Sequence, residues 1–551
     1  MLSRAPKLVS CLGRSNLATV RAATVASRVR ARPAWPRPIL AGRSCERASS
    51  SLAVDTSARD EPFPSILITA DSISAQGPFA ETQATFMSPD TSAVEELDEV
   101  LARQKMGVVA HYYMDAELQG TLSALSWPHV SIADSLAMGD AAVRMAEMGV
   151  KSVACLGVDF MSESVRATLD ANGFQNIPVY RLSEREIGCS LAGAAERREY
   201  EAFLRNASQV PNSLHVVYIN TSLVTKAMSQ SLVPTITCTS SNVLQTILQA
   251  FAQVPDLTIW YGPDTYMGEN LHTMLQRIAE HMSDDEIRAL HPQHDKVSVS
   301  DLLGRFKYFL QGNCIVHHMF GDEVVSRVRE GYPDAFHTAH LEVPGEMFRL
   351  AMEAQQAGRG VVGSTSNILN FIKDKTREAA EVFSGASDSM PMQFVLGTES
   401  GMITSIVRAV QKELQAQPSH AQVEIVFPVS SEAMTATGEG EGQGAGDLQV
   451  VPGVSGGEGC STAGGCATCP YMKMNHLDAL MDVAEQSQGT RAQGSNVPEA
   501  LQGFLPKKRA FTLEGADQTQ LGVVPILHMR HMMKQKSLSD ELVRDVTTRG
   551  R

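Results

Sequence analysis

The sequence predicts an α/β fold built on parallel, buried strands, and two observations carry that expectation. First, short apolar runs end in clusters of polar, reactive side chains, and a helical pattern usually follows. The runs are GVVAHYY (107–113), SVACLGVDF (152–160), HVVYINTS (215–222), TITCTSSN (235–242), TIWYGPD (258–264), AFHTAHLE (335–342), GVVGSTSN (360–367) and QFVLGTES (393–400). Apolar runs of four to six residues between helical patterns are the mark of strands buried on both faces. Second, Thr239-Ser240-Ser241-Asn242 before an apolar-periodic stretch is echoed 125 residues later by Ser364-Thr365-Ser366-Asn367. That offset suggests duplicated domains of about 100 residues.

Along the chain, residues 1–50 hold nine Arg, one Lys and a single acid, Glu46, a charge of +9. This Arg-, Ser- and Ala-rich start without a long apolar core has the composition of an organelle transit peptide. It fits plastid or mitochondrion equally. Residues 51–91 lack periodicity and read as a disordered linker. Order is expected from Ser92, where Ser92-x-x-Glu95 forms a capping box before Val94, Leu97, Val100 and Leu101 at helical spacing. Residues 432–466 are Gly-dense and read as a surface insertion. The tail beyond 485 is mixed, helical at first and frayed at its end.

The 551 residues allow about three to five domains. The formal net charge of −14, hence −23 outside the first 50 residues, argues against a nucleic-acid binder. No run of about 18 apolar residues occurs, so no membrane-spanning helix is expected. Two of the nine cysteines, Cys11 and Cys45, fall in the transit segment. Seven in the remainder are too few for a disulfide scaffold.

The strand ends carry the chemistry, because ligands of parallel sheets bind there. Hydroxyl clusters ahead of helices suit carboxylate or phosphate, although a single Ser or Thr is as readily a helix cap. His111 follows VVA, and His340 and Glu342 share one strand end, where such a pair can move protons. His317 lies three residues after Cys314. Cys155 sits mid-strand and reads as packing, and Cys238 ends a strand. Cys189 and Cys314 stand in turn-like sequence, and Cys460, Cys466 and Cys469 form C-x5-C-x2-C. A zinc ribbon lacks its second pair. An iron–sulfur cluster held by Cys189, Cys314 and one cysteine of the loop, with one iron open, fits better.

With these residues in view, the chain resembles the quinolinate synthases, iron–sulfur enzymes of de novo NAD biosynthesis. The resemblance runs from about residue 92 to 482. It rests on AHYYMDAELQG (110–120), ADSL (133–136), GVDFMSES (157–164), GCSLAG (188–193), YINTS (218–222), CTSSN (238–242), GPDTYMGEN (262–270), CIVHH (314–318), YPDAFHTAHLE (332–342), GSTSN (363–367), GTESGM (397–402) and CPYMKMN (469–475). The Gly-rich insertion and its cysteine loop resemble the plant and algal branch. That branch carries an extra N-terminal domain, for which residues 1–91 leave no room.

The resemblance implies three related α/β/α sandwich domains with parallel sheets around a pseudo-threefold active-site centre: 92–190, 191–313 and 314–431. A ligand loop (432–485) and a C-terminal segment (486–551) follow. It implies a [4Fe–4S] cluster on Cys189, Cys314 and Cys469. It also implies a transferase that condenses iminoaspartate with dihydroxyacetone phosphate to quinolinate, releasing phosphate and water. Glu342, His340 and Tyr113 are the implied catalytic residues. His111, Ser135, Tyr218, Asn220, Ser240, His317, Ser364 and Thr365 are the implied substrate-binding residues. Lys226 and Glu399 are matched without an assigned role. The family usually reads His-Pro-Glu-Cys where this chain has His340-Leu341-Glu342-Val343, which leaves the local backbone open. Implied partners are aspartate oxidase as the source of iminoaspartate, the iron–sulfur assembly machinery and a second copy in a homodimer, with no nucleic acid and no membrane. The implied compartment is the plastid stroma, with the mitochondrial matrix as alternative. There, the C-x2-C pair Cys466 and Cys469 would form a redox-sensitive disulfide. Rival readings are a three-cysteine iron–sulfur reductase or radical enzyme of similar plan, whose known members lack AHYY and GTESGM, and a non-enzymatic cluster carrier.

Overall fold

The computed structural model describes residues 62–382, 390–416, 420–428, 469–491, 494–506, 512–513 and 516–549. The expected transit segment, the Gly-rich stretch 432–466, Cys460 and Cys466 lie outside the described residues, and with them the expected Cys466–Cys469 disulfide.

The described chain opens with two antiparallel strands, β1 (Ser65–Ile68) and β2 (Ile73–Gln76). The first sheet follows, with β3 (Met106–His111), β4 (Val130–Ala133), β5 (Ser152–Leu156) and β6 (Val179–Tyr180). The second holds β7 (Ser213–Tyr218), β8 (Thr235–Cys238), β9 (Thr258–Gly262) and β10 (Phe306–Tyr308). The third holds β11 (Phe336–His340), β12 (Gly360–Gly363), β13 (Met392–Gly397) and β14 (Val423–Val426). All eight apolar runs singled out in the sequence are strands, and each feeds a polar strand end.

One strand order recurs three times: second, first, third, fourth. Within these three sets every pairing is parallel. The registers coincide too. The last residues of the first and second strands pair as His111 with Ala133, Tyr218 with Cys238 and His340 with Gly363. Asp134, Thr239 and Ser364 are therefore equivalent positions. The 125-residue echo joins the second and third repeats, and Asp134-Ser135 is its degenerate third copy. Helices cover the sheets because each carries an apolar stripe; the helix Ile403–Gln415, for example, buries Ile406, Val407, Val410 and Leu414.

Two expectations are corrected. Residues 65–85 are not linker: β1 pairs antiparallel with β14 and extends the third sheet, and a helix, Pro78–Thr85, follows. Ile66 and Ile68 are fully buried there. The reason is an apolar four-residue run, SILI, that was too short and too close to Ser/Thr-rich sequence to register as a strand. The C-terminus is also more ordered than expected. The helix Gln518–Gln535 packs on the helix Leu223–Leu232, with Gly522 so close to the Leu223 carbonyl that a Cβ would lie 2.3 Å from it. A last helix, Asp540–Thr548, is capped by Ser539 and buries Leu542 and Val546. Among the described residues no helix is long and apolar enough to cross a membrane.

Candidate active site

The carboxyl ends of the three sheets converge on Glu342. Its carboxylate accepts a short hydrogen bond from the Tyr218 hydroxyl. Its other oxygen lies 3.2 Å from His317 Nδ1, off the line of an ideal hydrogen bond. His340 Nδ1 is 3.7 Å away. The His317 and His340 rings stack at 5.0 Å, and Tyr113 packs edge-on to both His111 (4.7 Å) and His317 (6.2 Å). Thr398, just past β13, has its hydroxyl 3.4 Å from the Tyr113 hydroxyl and 3.5 Å from His317 Nε2.

His111 and His340, at equivalent strand ends, share a local device. The backbone N–H of Tyr113 donates to His111 Nδ1 (3.2 Å), and that of Glu342 donates to His340 Nδ1 (3.3 Å). Each ring is thereby held with its proton on Nε2. Burial pushes His111 down to about 4 and His340 to about 3, so both stay neutral. Burial alone would raise Glu342. The His317 ring and the Tyr218 hydroxyl outweigh it and hold the carboxyl low. Tyr218 and Tyr113 are pushed well above the ordinary phenol range, first by burial and then by Glu342.

The departure at Leu341 has a structural counterpart. The Leu341 N–H donates to the Gly363 carbonyl at 3.1 Å, a bond proline could not make. The Leu341 and Val343 carbonyls both accept from buried Asn270 Nδ2, at 2.9 and 2.7 Å. The amide clamps the strand end without proline.

Beside this acid–base group stand Cys189, Cys314 and Cys469. Each precedes a helical turn: Ser190–Ala195, His317–Met319 and Met472–Met474. Backbone N–H groups of those turns reach each sulfur: Leu191 and Ala192, His317, and Tyr471 and Met472 respectively. Burial drives all three thiols up, Cys189 to about 11, and the sulfurs add to one another: Cys469 to Cys314, and Cys189 to Cys469. Three soft donors gathered at one partly buried site, with backbone N–H groups aimed at each sulfur, suit a metal centre, which would supply the positive charge they lack. Cys155 and Cys238, by contrast, are buried in strands, and burial raises both thiols.

The remaining expected residues divide. Ser135 and Thr365 open the helices that follow the second strand in their repeats, and Ser240 occupies the equivalent register position. Asn220 lies just past β7. Ser364 is committed locally: its hydroxyl donates to Asn367 Oδ1 (2.7 Å) and accepts the Asn367 N–H (3.2 Å). Asp134 and Ser222 cap helices. The capping reading holds for these three. Lys226, matched without a role, is fully buried and donates to the Ile219 carbonyl (3.1 Å) and the Thr221 hydroxyl (2.9 Å), wrapping the turn that carries Asn220. Sequence reasoning missed Thr398 and Gln119. Buried Gln119 Nε2 joins the carbonyls of Tyr112 (2.8 Å), Met114 (2.7 Å) and Gly401 (2.5 Å), sewing the Tyr113 turn to the end of the third sheet. Both lie inside quoted motifs, AHYYMDAELQG and GTESGM, and that was the signal available.

Comparison with known proteins agrees with this geometry. A family model described as quinolinate synthetase A protein matches residues 95–425. The chloroplastic quinolinate synthase of Arabidopsis thaliana is 53% identical over 494 residues, covering 88% of this chain and 67% of that protein. Its counterpart from Oryza sativa subsp. japonica is 50% identical over 557 residues, covering 98% and 77%. The quinolinate synthase of Synechocystis is 27% identical over 373 residues, covering 68% and 80%. The chain therefore belongs to the quinolinate synthase family.

Proposed function

We propose that the chain makes quinolinate for NAD biosynthesis by condensing iminoaspartate with dihydroxyacetone phosphate, at a centre where Cys189, Cys314 and Cys469 hold a [4Fe–4S] cluster. The observation that carries this reading is the convergence of three half-buried cysteines, one after the fourth strand of each repeat, on the buried Glu342–His317–Tyr218 group. Cys189, Cys314 and Cys469 would hold the cluster with one iron free of protein ligands, and that iron would supply Lewis-acid chemistry toward a substrate oxygen.

The chain's own residues supply the rest. Glu342, held as an anion, takes a proton from substrate carbon or nitrogen; His317 Nδ1 is placed to receive or return it, and the Tyr218 hydroxyl steadies the anion by donating to it. Neutral His111 and His340 offer Nε2–H groups that orient substrate oxygens without adding charge. Tyr113 closes the pocket beside them. Ser135, Asn220, Ser240 and Thr365 lie at strand ends and helix starts, where carboxylate and phosphate oxygens are stabilised. The buried walls exclude bulk water, which strengthens each of these bonds.

The reading extends to a plastid location, which the chloroplastic relatives and the basic N-terminal composition support. It also extends to aspartate oxidase as supplier of the unstable imine, cluster delivery by assembly proteins and a homodimer. The test is product formation from iminoaspartate and dihydroxyacetone phosphate by anaerobically reconstituted protein. Quinolinate that appears only with iron and sulfide loaded supports the reading. A fully loaded protein that makes none overturns it.

A further inference from the structure

Cys189 and Cys314 follow their fourth strands closely, and their loops hold one another. Ser190 Oγ is 3.1 Å from the Asn313 carbonyl and accepts the Ile315 N–H at 3.4 Å. The Cys314 loop is also strapped to the second sheet. The Thr265 N–H donates to the Gly312 carbonyl (2.7 Å), and the Gly312 N–H donates to the Thr265 hydroxyl (3.0 Å).

Cys469 lies far beyond Val426 in sequence, whereas the other two cysteines follow their fourth strands closely. Contacts among the described residues place its sulfur. The bonds inside the turn, from the Lys473 N–H to the Cys469 carbonyl (3.3 Å) and from Tyr471 and Met472 to the sulfur, shape it without placing it. The Tyr471 ring packs against Gly188, beside Cys189, and among the described residues two hydrogen-bonded contacts also reach outward from the turn. At the far end, Asn475 exchanges bonds with Gly157 of the first repeat (3.2 and 3.3 Å). At the cysteine end, the Cys469 N–H donates to Glu399 Oε1 at 2.6 Å.

Glu399 is 1% exposed and sits directly after Thr398, whose hydroxyl lies beside Tyr113 and His317. Adjacent residues at one strand end thus reach the two halves of the site. A buried carboxyl is expensive to keep, and this one spends its short bond on the backbone of a cysteine. We propose that Glu399 is a positioning residue: it fixes the third cluster ligand, Cys469, by holding its backbone N–H. This rests on the cluster reading above.

The test compares Glu399→Ala, Glu399→Gln and Cys469→Ala in the full chain. Iron loss from loaded protein to a chelator should be faster in Glu399→Ala by about tenfold or more. Glu399→Gln keeps an acceptor oxygen in place and should stay within about threefold of wild type. In cluster-free protein, alkylation mapped by mass spectrometry should speed up at Cys469 in Glu399→Ala and stay unchanged at Cys189 and Cys314. A purely structural role would loosen all three. Glu399→Asp, which keeps a carboxyl on an arm one methylene shorter, should behave as the Ala variant and serves where Ala does not fold. Unchanged iron loss and alkylation in Glu399→Ala, or equal failure of Gln and Ala, overturns the assignment. If Cys469→Ala loses the cluster while Glu399→Ala keeps it, only this inference falls. If Cys469→Ala keeps all its iron, the ligand reading falls with it.

Discussion

His317 Nδ1 stands 3.2 Å from Glu342 Oε2, and the contact joins the turn that follows the second sheet to the end of the first strand of the third. His317 belongs to the Cys314 turn that closes the second sheet, and Glu342 lies just past the first strand of the third. The Tyr218 hydroxyl, from the first strand of the second sheet, reaches the other carboxylate oxygen. A proton acceptor assembled this way exists only when the domains are packed together. Glu342→Gln preserves the shape and removes the acceptor. The expected result is a kcat lower by about 10²–10⁴-fold with substrate binding retained. A near-normal kcat would remove Glu342 from the chemistry.

Tyr218 tunes that acceptor. Its hydroxyl stabilises the anion of Glu342, so its removal raises the carboxyl's pKa. In Tyr218→Phe the acid limb of the kcat/KM profile should therefore move to higher pH, because the active anion is lost earlier on acidification. A pH–rate series on both proteins checks this. An unmoved limb, or one moved downward, contradicts it.

Gly401 makes room for Tyr113. A Cβ there would lie 2.7 Å from Tyr113 Cα and 3.0 Å from its carbonyl carbon. Gly401→Ala should displace the tyrosine backbone, cost about 1–3 kcal/mol of stability by overpacking, and depress kcat more than the melting temperature suggests. Calorimetry paired with steady-state kinetics separates the two effects, and a variant with wild-type values for both would contradict the close approach.

Acid should destabilise the fold through histidines buried neutral. His215 is fully buried, with Nε2 2.8 Å from the Tyr200 hydroxyl, and burial pushes it down to about 3. Its folded pKa lies below the unfolded value of about 6.5, so the unfolded chain takes up the proton first. Stability is retained above that value and falls as pH drops from about 6.5 toward 3, by about 1.4 kcal/mol per pH unit for this one group. Urea unfolding of wild type and His215→Gln at pH 7, 6 and 5 should show the shallower slope in the variant.

The sequence made the sheets legible because buried parallel strands are short apolar runs, and their polar ends stand out against them. His340, Glu342 and His111 were visible for that reason. The short strand β1 was not, since SILI gains its burial only from β14, far along the chain. The last helix was hidden likewise, because Leu542 and Val546 find their cover in tertiary packing. Glu399 and Gln119 were quoted inside motifs but showed no role, because their bonds go to backbone groups that only folding brings near. Ser364 illustrates the reverse: its residue type suited an anion site, and its hydroxyl is taken by Asn367.

The most direct test is iron and sulfide content, with the cluster's electronic spectrum, after anaerobic reconstitution of Cys189→Ala, Cys314→Ala and Cys469→Ala beside Cys155→Ala. The account predicts loss of the four-iron cluster in each of the first three and full loading in the fourth. A complete four-iron cluster in any one of the three ligand variants would contradict it.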